Sequence, residues 1–378
     1  MREFLDDQSN IIEHLLHSHG IRGRVTGGSL SPRLLHFQIK LPNRVKPSQV
    51  APLLPEIAEA LEVRAVRLAP DPETGDTILE VPRPDPVAVR LLPLAKKVAE
   101  VVPPITATLG LDIAGTPLLL RLDAPEVAPT LITGSPSSGK SGLLQTMAIS
   151  LALHNSPDTL RMLLIDLSGA RRRGRQGITA WTGAEALPHL VAEPVRDLDE
   201  AHLRLRWAMR LLRERAEMLA DGEPSEGPAL VVMLDGLEEV AGESLDLLPM
   251  LARDGRGLGI QLVAAVQPSP VVEQIAWGAR IVGRCKDAAH ARAASGMQGI
   301  GADGLLGEGD FLAVLGGDAL RFQAAALRPD ELARTVQWLV RAAETEAASA
   351  EMELKAQRPS AAGVRLSLRQ AGAHPRPL

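Results

Sequence analysis

Residues 130–144 read TLITGSPSSGKSGLL, and no other stretch limits the fold of this chain so tightly. A β-branched and apolar run ends on a glycine, small residues and Gly-Lys-Ser follow, and an apolar helical pattern begins. Gly134 to Ser141 match G-x-x-x-x-G-K-S, with a strand pattern before and a helix pattern after. A loop of this kind curls tightly at its glycines, so backbone N–H groups of the Ser135–Gly139 turn can point at phosphate oxygens. The helix that follows adds its positive N-terminal end. Lys140 supplies a point charge for β- and γ-phosphates, and Ser141 a hydroxyl for Mg²⁺. A chance glycine-rich turn would not need the flanking strand and helix. The candidate nucleotide-binding set is Gly134, Ser135, Ser137, Ser138, Gly139, Lys140, Ser141 and Gly142, with ATP and Mg²⁺ as the implied ligands.

Around this loop, apolar strands alternate with amphipathic helices: LLLRL, TLITG, MLLIDL, ALVVMLD, IQLVAAVQ, ARIVGRC and FLAVL. Runs apolar at every position suggest strands buried on both faces, as in a parallel sheet, and hence a doubly wound α/β domain. The expected domain spans residues 109–328. Residues 1–90 read as a small α+β domain: a helix ending at Gly20, a strand pair, a helix and a second strand pair. Residues 91–108 read as a proline-rich linker with a short helix, and 329–378 as a helix with a disordered tail.

Asp235 ends the run ALVVMLD, where the C-terminal end of a strand brings a carboxylate beside the loop to hold Mg²⁺ through water. Composition narrows the rest. With no Tyr, four Phe and four Trp in 378 residues, sequence-general stacking on single-stranded bases is a poor primary binding mode. The net charge of −5 argues against a broadly basic surface but leaves room for a basic lining. The single Cys285 excludes an internal disulfide framework and reads as a small buried hydrophobe. The acidic N-terminus is unlike a signal peptide, and no apolar run reaches the roughly 18 residues of a membrane helix. A cytoplasmic chain with no membrane segment of its own is expected. His14, His17 and His19 lack the carboxylate or thiol pattern of a metal site.

The segments HSHGIRGRVTGGSLSPRLLHFQIKL, LGLDIAGTPLLLRL, MLLIDLSG, LPHLVAEPVRDLDEAHLRLRWAMRLLRERAEML, VVMLDGLEE, LARDGRGLGIQLVAAVQPSP and LLGEGDFLAVL follow one another in an order that resembles the motor core of the FtsK/SpoIIIE family of hexameric double-stranded DNA translocases. The resemblance runs over about residues 10–328. It implies an α/β fold: a RecA-like P-loop domain with a mostly parallel central sheet, preceded by a small α+β domain. It gives Lys140, Ser141 and Asp235 the nucleotide and metal roles already argued. It makes Gln267 a polar sensor of the γ-phosphate and Arg256 an arginine finger reaching the neighbour's nucleotide in a ring. Arg292 is a second candidate family arginine.

Three departures from the family pattern matter. The family has Asp-Glu at the end of the VVMLD strand, but here Gly236 follows Asp235. Glu238 and Glu239 come later, off register: one of them could swing in to replace the missing Glu, but the start of a surface helix is the simpler reading. Residues that bind ATP are therefore intact while the water-activating one is replaced. Second, Leu-Ser-Gly stands where Pro-Lys-Gly is usual, followed by Arg171, Arg172, Arg173 and Arg175, candidates for contact with DNA phosphates at a ring pore. Third, no membrane anchor or C-terminal winged-helix module is recognisable. The expectation is an ATP-driven duplex-DNA translocase acting as a homo-oligomeric ring, a hexamer by resemblance. The alternative is an ATP-binding, weakly hydrolysing DNA clamp or scaffold subunit, and a third reading is a secretion or conjugation motor.

Overall fold

The structure, a computed structural model, describes residues 2–70, 75–169, 180–223 and 227–357. Its N-terminal part opens with helix α1 (Arg2–Ser18), which stops at Gly20 in the left-handed region. Strands β1 (Arg24–Leu30) and β2 (Leu34–Lys40) follow, then two short helices, α2 (Pro47–Val50) and α3 (Leu54–Ala60), and strands β3 (Arg67–Pro70) and β4 (Thr77–Pro82). The strands form an antiparallel sheet in the order β1-β2-β4-β3. Successive side chains of a strand face opposite ways. Leu35, Phe37 and Ile39 accordingly join Ile12 and Leu16 of α1 and Ile57 of α3 in one apolar core. His36 and its cross-strand partner Glu80 belong to the other face.

Helix α4 (Leu91–Val98) begins the larger part, followed by β5 (Thr106–Asp112), β6 (Pro117–Arg121), β7 (Thr130–Thr133), α5 (Lys140–His154) and β8 (Leu160–Asp166). Next come α6 (Leu198–Ala220), β9 (Ala229–Asp235), α7 (Glu243–Asp254), β10 (Ile260–Val266), β11 (Ala279–Gly283), α8 (Ala288–Ser295), β12 (Asp310–Leu315), β13 (Asp318–Ala324) and α9 (Pro329–Gln357). One nine-stranded mixed sheet runs β6-β5-β13-β12-β11-β7-β10-β9-β8. The strands from β11 to β8 in that order are parallel, and the rest are antiparallel. Two of the seven apolar runs, LLLRL in β6 and FLAVL in β12, therefore lie in the antiparallel half. The reason is local. Gly316 and Gly317 both have positive φ and close a two-residue hairpin between Leu315 and Asp318 that turns β12 back into β13, while the turn at Gly115, also at positive φ, returns β5 into β6; neither leaves room for a helix crossover.

Alternation along the parallel strands splits the core in two. Ile132, Met162, Leu164, Val263 and Ala265 face α4, α5 and α9. Leu131, Leu163, Ile165, Leu262 and Ala264 face α6 and α7. Leu91, Leu94 and Ala95 of α4 are buried in the first of these cores, so the proline-rich segment carries an integral helix. Asp197 caps α6 by accepting hydrogen bonds from the Asp199 and Glu200 N–H groups at 2.9 and 3.0 Å.

A buried ion cluster joins the two sheets. Arg321 of β13 grips Asp310 of β12 with two hydrogen bonds, 2.8 and 2.6 Å, and also donates to Glu80 of β4. Arg67 lies 3.4 Å from the same Glu80 carboxylate and donates to the Ile300 carbonyl at 2.9 Å. Burial disfavours the Arg321 charge, yet Asp310 and Glu80 together hold its pKa above the ordinary value. Burial keeps His36, beside this cluster, below its ordinary pKa, with Glu80 pulling the other way. Replacing Arg321 by Met would leave the buried Asp310 without an ion-pair partner and Glu80 with only Arg67 at 3.4 Å, so roughly 3–5 kcal/mol of stability should be lost in urea unfolding. Arg334→Ala, which breaks an exposed i,i+4 pair with Asp330, should stay within about 0.5 kcal/mol of wild type. Equal effects of the two would mean that the joint does not hold the sheets together.

Candidate nucleotide site

The C-terminal ends of the parallel strands meet along one edge of the large sheet. Pairing of Val266 and Val282 with Thr133 puts Gln267 and Gly283 on either side of Gly134. Asp235 is paired with Ala265 on one side and Asp166 on the other. The loop after β7 is moulded against backbone. A Cβ on Gly134 would lie 3.1 Å from Gly283 Cα, and one on Gly139, at φ +102°, would lie 2.6 Å from Gly309 N. The segment that carries Gly309 braces the loop: Glu308 N–H donates to Ser137 O at 3.3 Å and Gly309 N–H to Ser138 O at 2.9 Å.

Two N–H groups of the loop are already used, Ser135 by the Arg284 carbonyl and Ser138 by the Ser135 carbonyl. The donors left for an anion are those at the start of α5, where helix geometry leaves the first N–H groups without intrahelical partners. Lys140 folds back over the loop, donating to the Gly134 and Ser135 carbonyls at 2.9 and 3.1 Å. Burial lowers its pKa, and Asp235 and Glu238 oppose the shift. Beside the loop opens a cavity of about 330 Å³, lined by Gly139, Gly142, Leu143, Val87, Ala326 and Arg33.

Asp235 is buried. Burial pushes its pKa up to about 6; the Ser141 hydroxyl, hydrogen-bonded to it, pulls the pKa down, and the Asp166 charge raises it. Its Oδ2 is buried with no hydrogen-bond partner. A hydroxyl and a carboxylate with an unused oxygen form an oxygen donor set that suits a hard cation such as Mg²⁺. Among the described residues no group of three or more His, Cys, Asp or Glu forms a metal site, and no helix is long and apolar enough to cross a membrane. Cys285 is buried, and burial lifts its thiol to about 11.

The comparisons fit this architecture. A family model described as FtsK/SpoIIIE family matches residues 93–226, and one described as FtsK alpha domain matches residues 1–83. Among curated relatives, DNA translocase FtsK of Staphylococcus aureus (strain Mu50 / ATCC 700699) is 28% identical over 362 residues, covering 88% of this chain and 45% of the relative. DNA translocase FtsK 2 of Ralstonia nicotianae is 27% identical over 384 residues, covering 89% and 47%. The chain is similar to the FtsK/SpoIIIE family over residues 1–83 and 93–226. It spans about half the length of the curated relatives it matches. Among solved structures it shares its fold with the pCW3 conjugation coupling protein TcpA bound to ATPγS (TM-score 0.56, 16% identity, 88% of this chain and 99% of that one). It shares it also with the cytoplasmic domain of the Thermomonospora curvata type VII secretion ATPase EccC (TM-score 0.53, 24% identity, 65% and 32%).

The structure places most of the residues given roles by the FtsK/SpoIIIE resemblance. Gln267 stands at the loop edge, its N–H donating to Glu238 Oε2 at 3.2 Å and its side chain exposed. Arg292 is an exposed residue of α8, which follows β11. Arg256 lies in the turn Gly255–Leu258 before β10 and donates to the Pro125 carbonyl at 3.0 Å. Seven residues of β10, about 23 Å of strand, separate it from the loop edge, so it does not meet Lys140 of its own chain. Arg171, Arg172, Arg173 and Arg175 lie outside the described residues. Sequence reasoning missed the Glu308–Gly309 brace, whose signal was a Gly-Glu-Gly run far along the chain. It also missed Asp166, an acid ending the strand next to Asp235.

Gly236 is more than a missing glutamate. Its φ is +86°, and a Cβ there would lie 2.7 Å from Ser168 N and 2.8 Å from Leu167 C. A side chain at this position meets backbone on a neighbouring strand end, so Gly236→Glu should not restore a catalytic carboxylate. Even Gly236→Ala should cost more than about 1 kcal/mol in denaturant unfolding; a neutral effect would show that the turn yields. The buried Asp235 makes a second prediction. A raised carboxyl pKa means that the nucleotide-free chain loses stability as pH rises from the ordinary value of 3.8 to about 6. Asp235→Asn removes this penalty and should gain on wild type by up to roughly 3 kcal/mol between about pH 4 and pH 7. Urea midpoints across pH test it, and a difference flat with pH would refute it.

Proposed function

We propose that this chain is an ATP-driven double-stranded DNA translocase motor that works as a homo-oligomeric ring, six subunits being the expected number. One observation carries the nucleotide part: a phosphate cradle crossed by Lys140, with the partnerless Asp235 oxygen beside Ser141. The match to the FtsK/SpoIIIE family model and the DNA translocases among the relatives support the DNA part.

In this reading α5 and Lys140 hold the β- and γ-phosphates, and Lys140 exchanges its two carbonyl partners for phosphate oxygens. Ser141 and Asp235 hold Mg²⁺, which neutralises phosphate charge when bound. The cavity lined by Gly142 and Leu143 receives the base. Gln267, at the strand end beside Gly134, senses the terminal phosphate. Arg256, on the opposite edge of the sheet from its own loop, serves a neighbouring subunit, with Arg292 as a further candidate. Arg171, Arg172, Arg173 and Arg175 contact DNA phosphates, a sequence-blind attraction that salt weakens.

Steady-state ATP hydrolysis with and without long linear duplex should rise many-fold with duplex at low salt, and Lys140→Ala should abolish it. Lys140→Ala and Arg256→Ala chains, each inactive alone, should regain activity when mixed, because a mixed interface pairs an intact loop with an intact arginine. No recovery would argue against the shared site. Gly236 supports a second reading, an ATP-binding clamp or passive subunit. Tight Mg-ATP binding without turnover in duplex would select it.

A further inference from the structure

We propose that Glu238 supplies the carboxylate that orients and deprotonates the attacking water, taking over from a position that cannot carry one. The inference rests on reading this chain as an ATPase.

Gly236 cannot carry an acid. Backbone of Leu167 and Ser168 fills the space where its side chain would project, so no acid fits directly after Asp235. The same left-handed glycine turns the chain into a single helical turn, Leu237–Glu239. Leu237 is fully buried in the core beneath α6 and α7, which pins that turn. The two glutamates then diverge. Glu239 lines a cavity of about 300 Å³ with Leu198, His202 and Ser244, on the side of α6 and α7. Glu238 crosses to the end of β10, where its Oε2 accepts the Gln267 N–H at 3.2 Å.

That hydrogen bond fixes where the carboxylate sits. Val266 pairs with Thr133, so Gln267 flanks Gly134, the first residue of the loop. Glu238 is therefore held over the strand that separates the loop from Asp235. Lys140 and Asp235 both lie within electrostatic reach of it. A backbone N–H orients one carboxylate oxygen without neutralising the charge, and the other oxygen remains to accept a proton. The loss of two residues of register is made good by a turn that folds the acid back toward the edge it would otherwise leave.

In the step assigned to it, Glu238 takes a proton from water as the water oxygen bonds to the γ-phosphorus. The bond from that phosphorus to the β,γ-bridging oxygen breaks, and its electron pair leaves with ADP. Glu238 then returns its proton to phosphate or solvent.

The test uses the full chain with ATP, Mg²⁺ and duplex DNA. Glu238→Gln keeps the size and an oxygen for the Gln267 N–H but removes the base. Turnover should fall by about 10²-fold or more, the usual loss for a positioned general base. Mg-ATP affinity by calorimetry and the thermal midpoint should stay at wild-type values. Glu239→Gln should leave turnover and Mg-ATP affinity unchanged. Wild-type turnover in Glu238→Gln would overturn the assignment. So would a parallel loss of turnover, affinity and thermal midpoint, the result expected of a purely structural cap. A wild-type chain that binds Mg-ATP but never turns it over with duplex would defeat the motor reading, and the assignment with it.

Discussion

The Arg321–Asp310–Glu80 cluster is the interaction on which the site depends. Three charges leave water together, which is tolerable only because each meets an opposite charge at hydrogen-bond distance. Asp310 has a further task. Its Oδ2 also accepts the Leu306 N–H at 2.8 Å, which sets the course of residues 306–310. Glu308 and Gly309 of that segment then hold the carbonyls of Ser137 and Ser138. Ion pairing between two sheets thus determines the shape of a loop that neither Arg321 nor Glu80 touches.

The same low-dielectric surroundings set the electrostatics of the loop. Lys140 and Asp235 are both held where their charges are poorly hydrated, and each shifts toward its neutral form. A site in this state has much to gain from phosphate oxygens and a divalent cation, because they restore the partners that burial removed. Charge that water does not screen acts strongly over a few ångströms.

Much of this was legible in the sequence. The strand, loop and helix at 130–154, the acid at Asp235, the small N-terminal sheet and the α/β class all carried local signals: periodicity, glycine spacing and a helix stop. The antiparallel placement of β6 and β12 was not legible from apolarity, since a buried strand looks alike in either direction. Only the turn glycines, Gly115 for β6 and Gly316-Gly317 for β12, distinguished a hairpin from a crossover. Gly236 was legible as a departure but not as a steric necessity, because Leu167 and Ser168, nearly seventy residues earlier, create it. Glu238 looked off register for a related reason: linear spacing does not reveal a one-turn helix that folds back over β10. The separation of Arg256 from the loop edge needed the length of β10 and its direction in the sheet.

Arg33, in the turn between β1 and β2, donates to the carbonyls of Gly307 and Glu308, both at 3.0 Å. Those residues belong to the segment bonded to Ser137 and Ser138. The N-terminal sheet and the phosphate loop are therefore links of one short mechanical chain, with a few peptide groups between them. Good N–H to O bonds span only about 0.5 Å in length. Any tug on the small sheet larger than that must either drag the loop or snap a bond, so a load on one part is registered by the other as strain.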